Sequence, residues 1–143
     1  MKLQQLSVFL ENRPGQLKRA CDLLAQANIN IQTLSLADTK QFGILRLIMP
    51  EWERAKTVLE EGGFVTKTTE VLAVQVADRP GGLAEILTQV EAVGLNVEYM
   101  YAFTFGREDR AVLIFRFDNP DKAIETLKAG GINVIGGVDL YAR

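Results

Sequence analysis

The sequence contains no histidine and a single cysteine, Cys21, among its 143 residues. The absence of histidine removes the commonest general base and the commonest side-chain ligand of transition metals. A lone cysteine excludes a disulfide within the chain and most zinc-binding arrangements. No nucleophile is paired with a base elsewhere in the sequence. We therefore expect a protein that is not an enzyme, with no catalytic residues, no metal site and no cofactor.

Strong charge and long apolar runs are also missing. The formal net charge is −2, the isoelectric point is about 5.2, and the basic residues are scattered, so the chain lacks the basic patch of a nucleic-acid-binding protein. No apolar run approaches the roughly 18 residues of a membrane span. The start of the chain lacks the basic and then apolar pattern of a signal peptide. These features predict a cytoplasmic protein that binds neither nucleic acid nor membranes.

The prominent feature of the sequence is a six-residue segment that occurs twice, 66 residues apart. In both copies a short apolar run with strand character precedes it, and a segment with helical apolar periodicity follows it. The pattern predicts a strand, a tight turn and the start of a helix. The turn residues are Asn12, Arg13, Pro14, Gly15, Gln16 and Leu17 in the first copy, and Asp78, Arg79, Pro80, Gly81, Gly82 and Leu83 in the second.

The residue types of this segment are suited to binding an anion at a helix start. Proline fixes φ near a helical value, and glycine leaves the following backbone amides open to a ligand. The first amides of a helix lack partners within the helix and lie at the positive end of its dipole, so a carboxylate or phosphate is stabilised there. Alternatively, the segment is only a good turn without a ligand. Its occurrence at two equivalent positions favours a binding site.

Both predicted helices end at matching segments, in which Asn28 and Gly94 are residue types that accept a left-handed conformation. Asn30 and Asn96 follow, alternating with apolar neighbours as on a strand with one buried face. These two asparagines could donate hydrogen bonds to a ligand or could lie on a solvated face, and the sequence leaves both possibilities open.

The remainder of each copy predicts two further strands, a second helix and a last strand. Asn119 followed by Pro120 is a good helix start in the second copy. The last strands are predicted at Phe64–Glu70 and Ile132–Leu140. Each copy therefore has the order βαββαβ. We predict an α+β fold with two such units, residues 1–70 and 71–143, each an antiparallel sheet with both helices on one face. Because a unit of this size has a marginal core, we expect the two to pack together.

With this order of elements and the repeated Arg-Pro-Gly turn, the chain resembles a tandem pair of ACT domains over nearly its whole length. The resemblance implies two ferredoxin-like units side by side in a regulatory protein that senses a small molecule, most often an amino acid. In the family, ligands lie at an interface of two units, where the turn after the first strand of one faces the second strand of its neighbour.

The resemblance also implies roles for the turn residues. The amides around Gly15 and Gly81 would bind a ligand carboxylate, and Asn12 or Asp78 would bind its ammonium group. The arginines would point to solvent or clamp the adjoining unit. The difference between asparagine and aspartate leaves open whether both turns bind the same ligand. The chain also shows none of the enzyme or DNA-binding domains to which family members are usually attached.

Two functions follow from this resemblance. The first is a stand-alone amino-acid-binding regulatory protein, with a free amino acid as its ligand, that signals to a partner enzyme or regulator of amino-acid metabolism. The alternative is a regulatory subunit or assembly module with vestigial pockets, which an exposed Trp52 or an apolar patch at Tyr99, Tyr101 and Phe103 would favour. The strand edges of such sheets favour a homodimer.

Overall fold

The computed structural model of the chain describes residues 1–38, 40–103 and 110–142, apart from the side chain of Asp38. Its internal contacts divide the chain into two compact units. The first unit is Gln4–Thr69, and the second unit combines Met1–Leu3 with Glu70–Arg143.

The first unit contains an antiparallel sheet in the order β2-β3-β1. The pairing places Leu6 opposite Leu47 and Val8 opposite Leu45, so these apolar side chains share one face of the sheet. Its elements are β1 Leu3–Glu11, α1 Gln16–Gln26, β2 Thr33–Asp38, β3 Phe42–Ile48, α2 Trp52–Glu61 and the first residues of β4 Val65–Ala77.

Both helices of the first unit cover that apolar face. Ala20 and Leu24 of α1 and Ala55 and Leu59 of α2 are buried in one cluster with the strand residues. α1 ends where Asn28 adopts φ 58°, the left-handed conformation expected from the sequence. The helical spacing of small and branched apolar residues therefore positions both helices.

The second unit repeats this arrangement, with an antiparallel sheet in the order β5-β6-β4-β7. Its core joins strand residues such as Leu72 and Val74 to Ile86 and Val90 of α3 and Leu127 of α4. Its further elements are α3 Gly82–Ala92, β5 Val97–Ala102, β6 Arg110–Phe117, α4 Pro120–Ala129, β7 Val134–Ile135 and α5 Gly137–Tyr141.

Helix α4 begins as its sequence predicts. The Asn119 side chain accepts a hydrogen bond from the Lys122 amide at 3.2 Å, and Pro120 occupies the first helical turn. This bond satisfies one of the amides that a helix start leaves without a partner. Further back, Gly94 ends α3 with φ 72°, again as expected.

The last strand of the second copy is shorter than its apolar pattern suggested. The prediction of a strand over Ile132–Leu140 is wrong, because β7 covers only Val134–Ile135 and is followed by the short helix α5. Two consecutive glycines interrupt the strand, since glycine offers no side chain to pack on the sheet. The helical turn then buries Leu140 completely and leaves Val138 87% exposed. The wider prediction of an α+β fold with antiparallel sheets and packed helices is confirmed.

Candidate functional site

The two Arg-Pro-Gly segments form the same turn between a strand and a helix. In the first unit the Gln16 amide donates to the Arg13 carbonyl at 3.4 Å, and Gly15 has φ 89° and ψ −14°. In the second unit the equivalent hydrogen bond is 3.0 Å long, and Gly81 has φ 86° and ψ −6°. Proline in second position and left-handed glycine in third define a type II turn.

Glycine is needed in these turns for its backbone angle and not for lack of room. A side-chain carbon added at Gly15 or at Gly81 would meet no atom within 4 Å. A positive φ is nevertheless costly for other residues. The space beside each glycine is therefore open, whereas the next amide, that of Gln16 or Gly82, donates the hydrogen bond that closes the turn.

The first turn of α1 presents amides without backbone partners. The Arg19 amide donates to the Gly15 carbonyl at 3.0 Å. Within the described residues, the preceding amides of Leu17 and Lys18 donate to no backbone carbonyl, and glycine has no side chain to cap them. The equivalent hydrogen bond in α3 is also 3.0 Å long. The start of α1 therefore has unpaired amides at the positive end of the helix dipole.

The arginines of both turns pair with carboxylates of their own units. Arg13 Nε lies 2.7 Å from Glu11 Oε2, and Arg79 Nη2 lies 2.7 Å from Glu85 Oε1. All four side chains are more than half exposed. Such exposed pairs contribute about 0–1 kcal/mol to stability, so the arginines can exchange partners at little cost.

The first residue of each turn differs in charge. The backbone N–H of Asn12 donates to the backbone carbonyl of Gln41 at 2.8 Å, and this bond anchors the first turn beside the β2–β3 connection. Asp78 is exposed, and its carboxylate forms no ion pair within the described parts of the chain.

The one lysine in the first turn of α1 is paired within the same helix. The Lys18 ammonium donates to Asp22 at 2.6 Å, and this hydrogen bond raises the pKa of Lys18.

Each unit contains a cavity near its turn, but the two cavities lie on different sides of the turn. The cavity of the first unit measures about 80 Å³ and opens between the turn and the β2–β3 strands. Three of the residues predicted to bind a ligand, Asn12, Arg13 and Leu17, line this cavity. The full lining is Leu10, Glu11, Asn12, Arg13, Leu17, Leu36 and Gly43.

The cavity of the second unit is larger, about 230 Å³, and lies where the end of β4 meets α3 and the α4–β7 connection. Gly82 is the one predicted residue in its lining. A side-chain carbon at Gly82 would lie 2.0 Å from the Ala77 carbonyl oxygen, so here glycine is needed for close approach. The lining is Gln75, Val76, Ala77, Gly82, Glu85, Ile86, Arg110, Gly131, Ile132 and Asn133.

Comparison with known families agrees with the repeated turn and the repeated order of elements. Residues 1–142 match the family model described as an ACT domain pair. The chain belongs to the ACT domain pair family. The resemblance inferred from the Arg-Pro-Gly repeat is thereby confirmed.

Three relatives illustrate how far the similarity of this ACT pair extends. A crystal structure of a protein from Bacteroides thetaiotaomicron is 37% identical, with a TM-score of 0.91 over 99% of this chain and 96% of that one. The ligand-free regulatory subunit of aspartate kinase from Thermus thermophilus is 15% identical, with a TM-score of 0.65 over 90% and 93%. The latter similarity shows the fold alone.

The third relative is a curated protein, the acetolactate synthase small subunit of Buchnera aphidicola subsp. Baizongia pistaciae. It is 31% identical over 74 residues, which is 52% of this chain and 46% of that protein. The ACT pair therefore matches less than half the length of this relative.

Asn30 and Asn96 lie away from the turn of their own ACT unit. Glu11, just before the first turn, is opposite Phe42, whereas Thr33 at the start of β2 is opposite Ile48 at the other end of the sheet. Asn30, just before β2, therefore lies at the end of the sheet opposite the turn.

Asn96 has the equivalent position in the second ACT unit, where Val97 pairs with Phe117. Its amide donates to Asp118 Oδ1 at 3.0 Å, and the Asp118 amide donates to the Asn96 carbonyl at 3.2 Å. Both asparagines are exposed, and neither lines the cavities described above.

The polar residues of the larger cavity were not predicted from the sequence. Gln75 is the polar residue within the apolar run that precedes the second turn, and Arg110 and Asn133 are 35 and 58 residues away from it in sequence. The register that brings them together is not visible in the sequence. The partial signal was the alternation in β4, which points Gln75 away from the apolar core.

The described residues also limit other kinds of site in the ACT pair. Among residues 1–38, 40–103 and 110–142, no group of three or more histidine, cysteine, aspartate or glutamate residues could hold a metal ion. None of the helices in these ranges is long and apolar enough to cross a membrane.

Proposed function

We propose that this ACT pair is a regulatory protein that binds a free amino acid at its Arg-Pro-Gly turns and passes its ligand state to a partner enzyme. The observation that supports this function is the matched geometry of the two turns. Gly15 and Gly81 share one backbone conformation, and each is followed by a helix start in which, within the described residues, the second and third helical amides donate to no backbone carbonyl. Membership in the ACT family supports a regulatory rather than a catalytic role.

An amino acid suits these turns because it carries two opposite charges. Its carboxylate would accept hydrogen bonds from the first amides of α1 or α3. Its ammonium group would bind beside the first residue of the turn, where Asp78 supplies a carboxylate and Asn12 an amide oxygen. Because hydrogen bonds to charged groups are the stronger ones, the second turn is the tighter site.

The partner is proposed to be an enzyme because the curated relative is named as a subunit of a synthase. A ligand can alter such a partnership only if it binds two states of the protein with different affinity. The accessible arginines at the rim of each turn are the groups that could exchange partners between those states.

Thermal denaturation of the full chain with each proteinogenic amino acid tests the function. At a hundred times its dissociation constant, a ligand should stabilise the protein by roughly 2.7 kcal/mol, which raises the midpoint by a few degrees. Asp78→Asn should reduce the shift, and Asn12→Asp should increase it. Asp139→Asn, which removes an exposed carboxylate on α5, is the matched control. If no amino acid changes the midpoint, the proposed function is wrong.

A second candidate, an assembly module, is supported by exposed leucines on β2. Leu34 and Leu36 are 46% and 50% exposed on the strand that ends the sheet of the first unit. Exposed apolar strand edges are association surfaces. By contrast, Trp52 is half-buried against the first core, so it is not the exposed tryptophan that would favour this candidate. Phe103 is buried, so it does not contribute to an exposed apolar patch with Tyr99 and Tyr101.

Sedimentation analysis tests this second candidate. Leu36→Lys should shift the chain from a homodimer toward a monomer, whereas Val138→Lys, at a more exposed position of the second unit, should not. A wild-type chain that sediments as a monomer at all concentrations would exclude association of two copies.

A further inference from the structure

The cavity of the second unit lies where β4 and β7 separate. The two strands pair at Ala73 with Ile135 and at Val74 with Val134, and the Gln75 amide then donates to the Asn133 carbonyl at 3.0 Å. Beyond this bond the pairing ends, and residues from both strands' ends line the cavity of about 230 Å³. Its volume is sufficient for a small metabolite.

One wall of the cavity is a hydrogen-bonded polar cluster. Gln75 Oε1 accepts from Arg110 Nη1 at 3.1 Å and from Asn133 Nδ2 at 3.0 Å. This acceptor therefore fixes the guanidinium group of Arg110 at the cavity while using one of its five N–H donors. Arg110 forms no ion pair with any residue in the described ranges.

The backbone adds a further donor to the same wall. In an antiparallel ladder, alternate residues direct their N–H and C=O groups toward the same neighbour. The backbone N–H of Gln75 points toward β7, and Ala77 lies two residues later on the same strand. The backbone groups of Ala77 therefore point to the same side, where β7 has ended and the gap begins. The Ala77 carbonyl accepts from the Arg79 amide at 3.0 Å, and its N–H is directed toward the gap.

The charges around the cavity favour an anion. Glu85 is in the lining, but its carboxylate is 2.7 Å from Arg79 Nη2, so its charge is balanced by a neighbour. Arg110 is the remaining charged group of the lining. A planar guanidinium matches the geometry of a carboxylate.

The first unit provides an internal comparison at the equivalent positions. In place of Gln75, Arg110 and Asn133 it has Phe9, Phe42 and Val65, and none of these can hydrogen-bond through its side chain. The polar cluster is thus a property of the second unit.

The position equivalent to Glu85 is also occupied differently in the first unit. Arg19 lies there, 4.1 Å above the centre of the Phe64 ring, and donates to the Gly62 carbonyl at 2.6 Å. This contact satisfies the arginine within its own unit.

We propose that the gap between β4 and β7 of the second unit binds a small carboxylate through Arg110, at a site that borders the second turn at Gly82 but does not use the first amides of α3. Gln75 and Asn133 act as positioning residues, because they hold the guanidinium group and border the gap. Since the site uses the carboxylate alone, it does not require the ammonium group of an amino acid.

Calorimetric titration of the full chain with pyruvate and with L-alanine tests this proposal. The two probes share a three-carbon skeleton and a carboxylate, and differ in carrying a ketone or an ammonium group. Pyruvate should bind saturably, and Arg110→Gln should weaken its binding by about tenfold or more, as expected for a charge-assisted hydrogen bond. Lys128→Gln removes an exposed positive charge from α4 of the same unit and should leave the affinity unchanged.

Several results would overturn the proposal. These are the absence of saturable pyruvate binding, unchanged affinity in folded Arg110→Gln, and binding of alanine without pyruvate. Gly81→Ala, which strains the backbone that presents the amides of the second turn, is titrated in parallel, and loss of pyruvate binding in that variant with unchanged binding in Arg110→Gln would place the ligand at the turn instead. Pyruvate binding without any amino-acid response would support this site while contradicting the proposed function.

Discussion

Gly15 and Gly81, 66 residues apart in the sequence, have the same left-handed conformation at the third position of their turns, with φ of 89° and 86°. Both have open space where a side chain would be. The two copies therefore share the same glycine backbone conformation, which fixes the direction in which each helix starts after its strand.

Replacing Gly15 by alanine should destabilise the protein by about 1 kcal/mol, because a left-handed conformation costs other residues this amount. Gly63→Ala is the matched control, since Gly63 has φ 92° and equally open surroundings. Urea denaturation should show similar losses for both variants. Only Gly15→Ala should also reduce the amino-acid-induced shift in melting temperature. Equal ligand responses in the two variants would contradict a role for the turn in binding.

Replacing Gly82 by alanine should be more damaging than the same replacement at its equivalent in the first unit, Gln16. The added carbon would lie 2.0 Å from the Ala77 carbonyl oxygen, and such overpacking costs about 1–3 kcal/mol. Gln16→Ala, at the equivalent position of α1, should change stability by less than about 0.5 kcal/mol. Chemical denaturation of the two variants measures the difference, and equal losses would show that the close contact relaxes freely.

The turns and the order of elements were predictable from the sequence because they depend on neighbouring residues. Proline and glycine in Arg-Pro-Gly determine the turn, and apolar spacing determines the helices that follow. The polar cluster of Gln75, Arg110 and Asn133 was not predictable, since it depends on the register of β4, β6 and the segment that enters β7. A shift of one residue in any of them would turn these side chains to the other face.

The short helix α5 illustrates the same limit. Val138 and Leu140 alternate with the polar Asp139 as they would on a strand, and the predicted strand Ile132–Leu140 included them. The two glycines before Val138 were the local signal for an interruption. The burial that favours the helix, that of Leu140, is a tertiary property.

The two copies differ in how their second helices begin, which allows a matched test of capping. Asn119 caps α4 through its side chain, whereas Glu51 makes no such hydrogen bond at the start of α2. Asn119→Ala should cost about 1 kcal/mol, within the usual range for loss of a cap. Asn119→Ser should retain most of the stability. Glu51→Ala should cost less than about 0.5 kcal/mol, because it loses only an exposed pair with Arg54. Thermal denaturation distinguishes these cases.

Glu60 should contribute to the acid sensitivity of the first unit. Hydrogen bonds from Lys56 and then from Thr66 lower the pKa of Glu60 below its ordinary value of 4.5. Since the folded pKa is below the unfolded one, this contribution to stability is present above the unfolded pKa and is lost as the pH falls through the folded pKa.

Glu60→Gln should therefore lower the stability at neutral pH slightly and flatten its decline below about pH 4.5. Glu61→Gln is the control, because the exposed Glu61 forms no side-chain hydrogen bond or ion pair in the described parts of the chain. Unfolding free energies measured between neutral and acid pH would show the difference between the two variants. An identical pH profile for Glu60→Gln and wild type would mean that the hydrogen bonds from Lys56 and Thr66 do not persist in solution, because these bonds are what lower the pKa of Glu60.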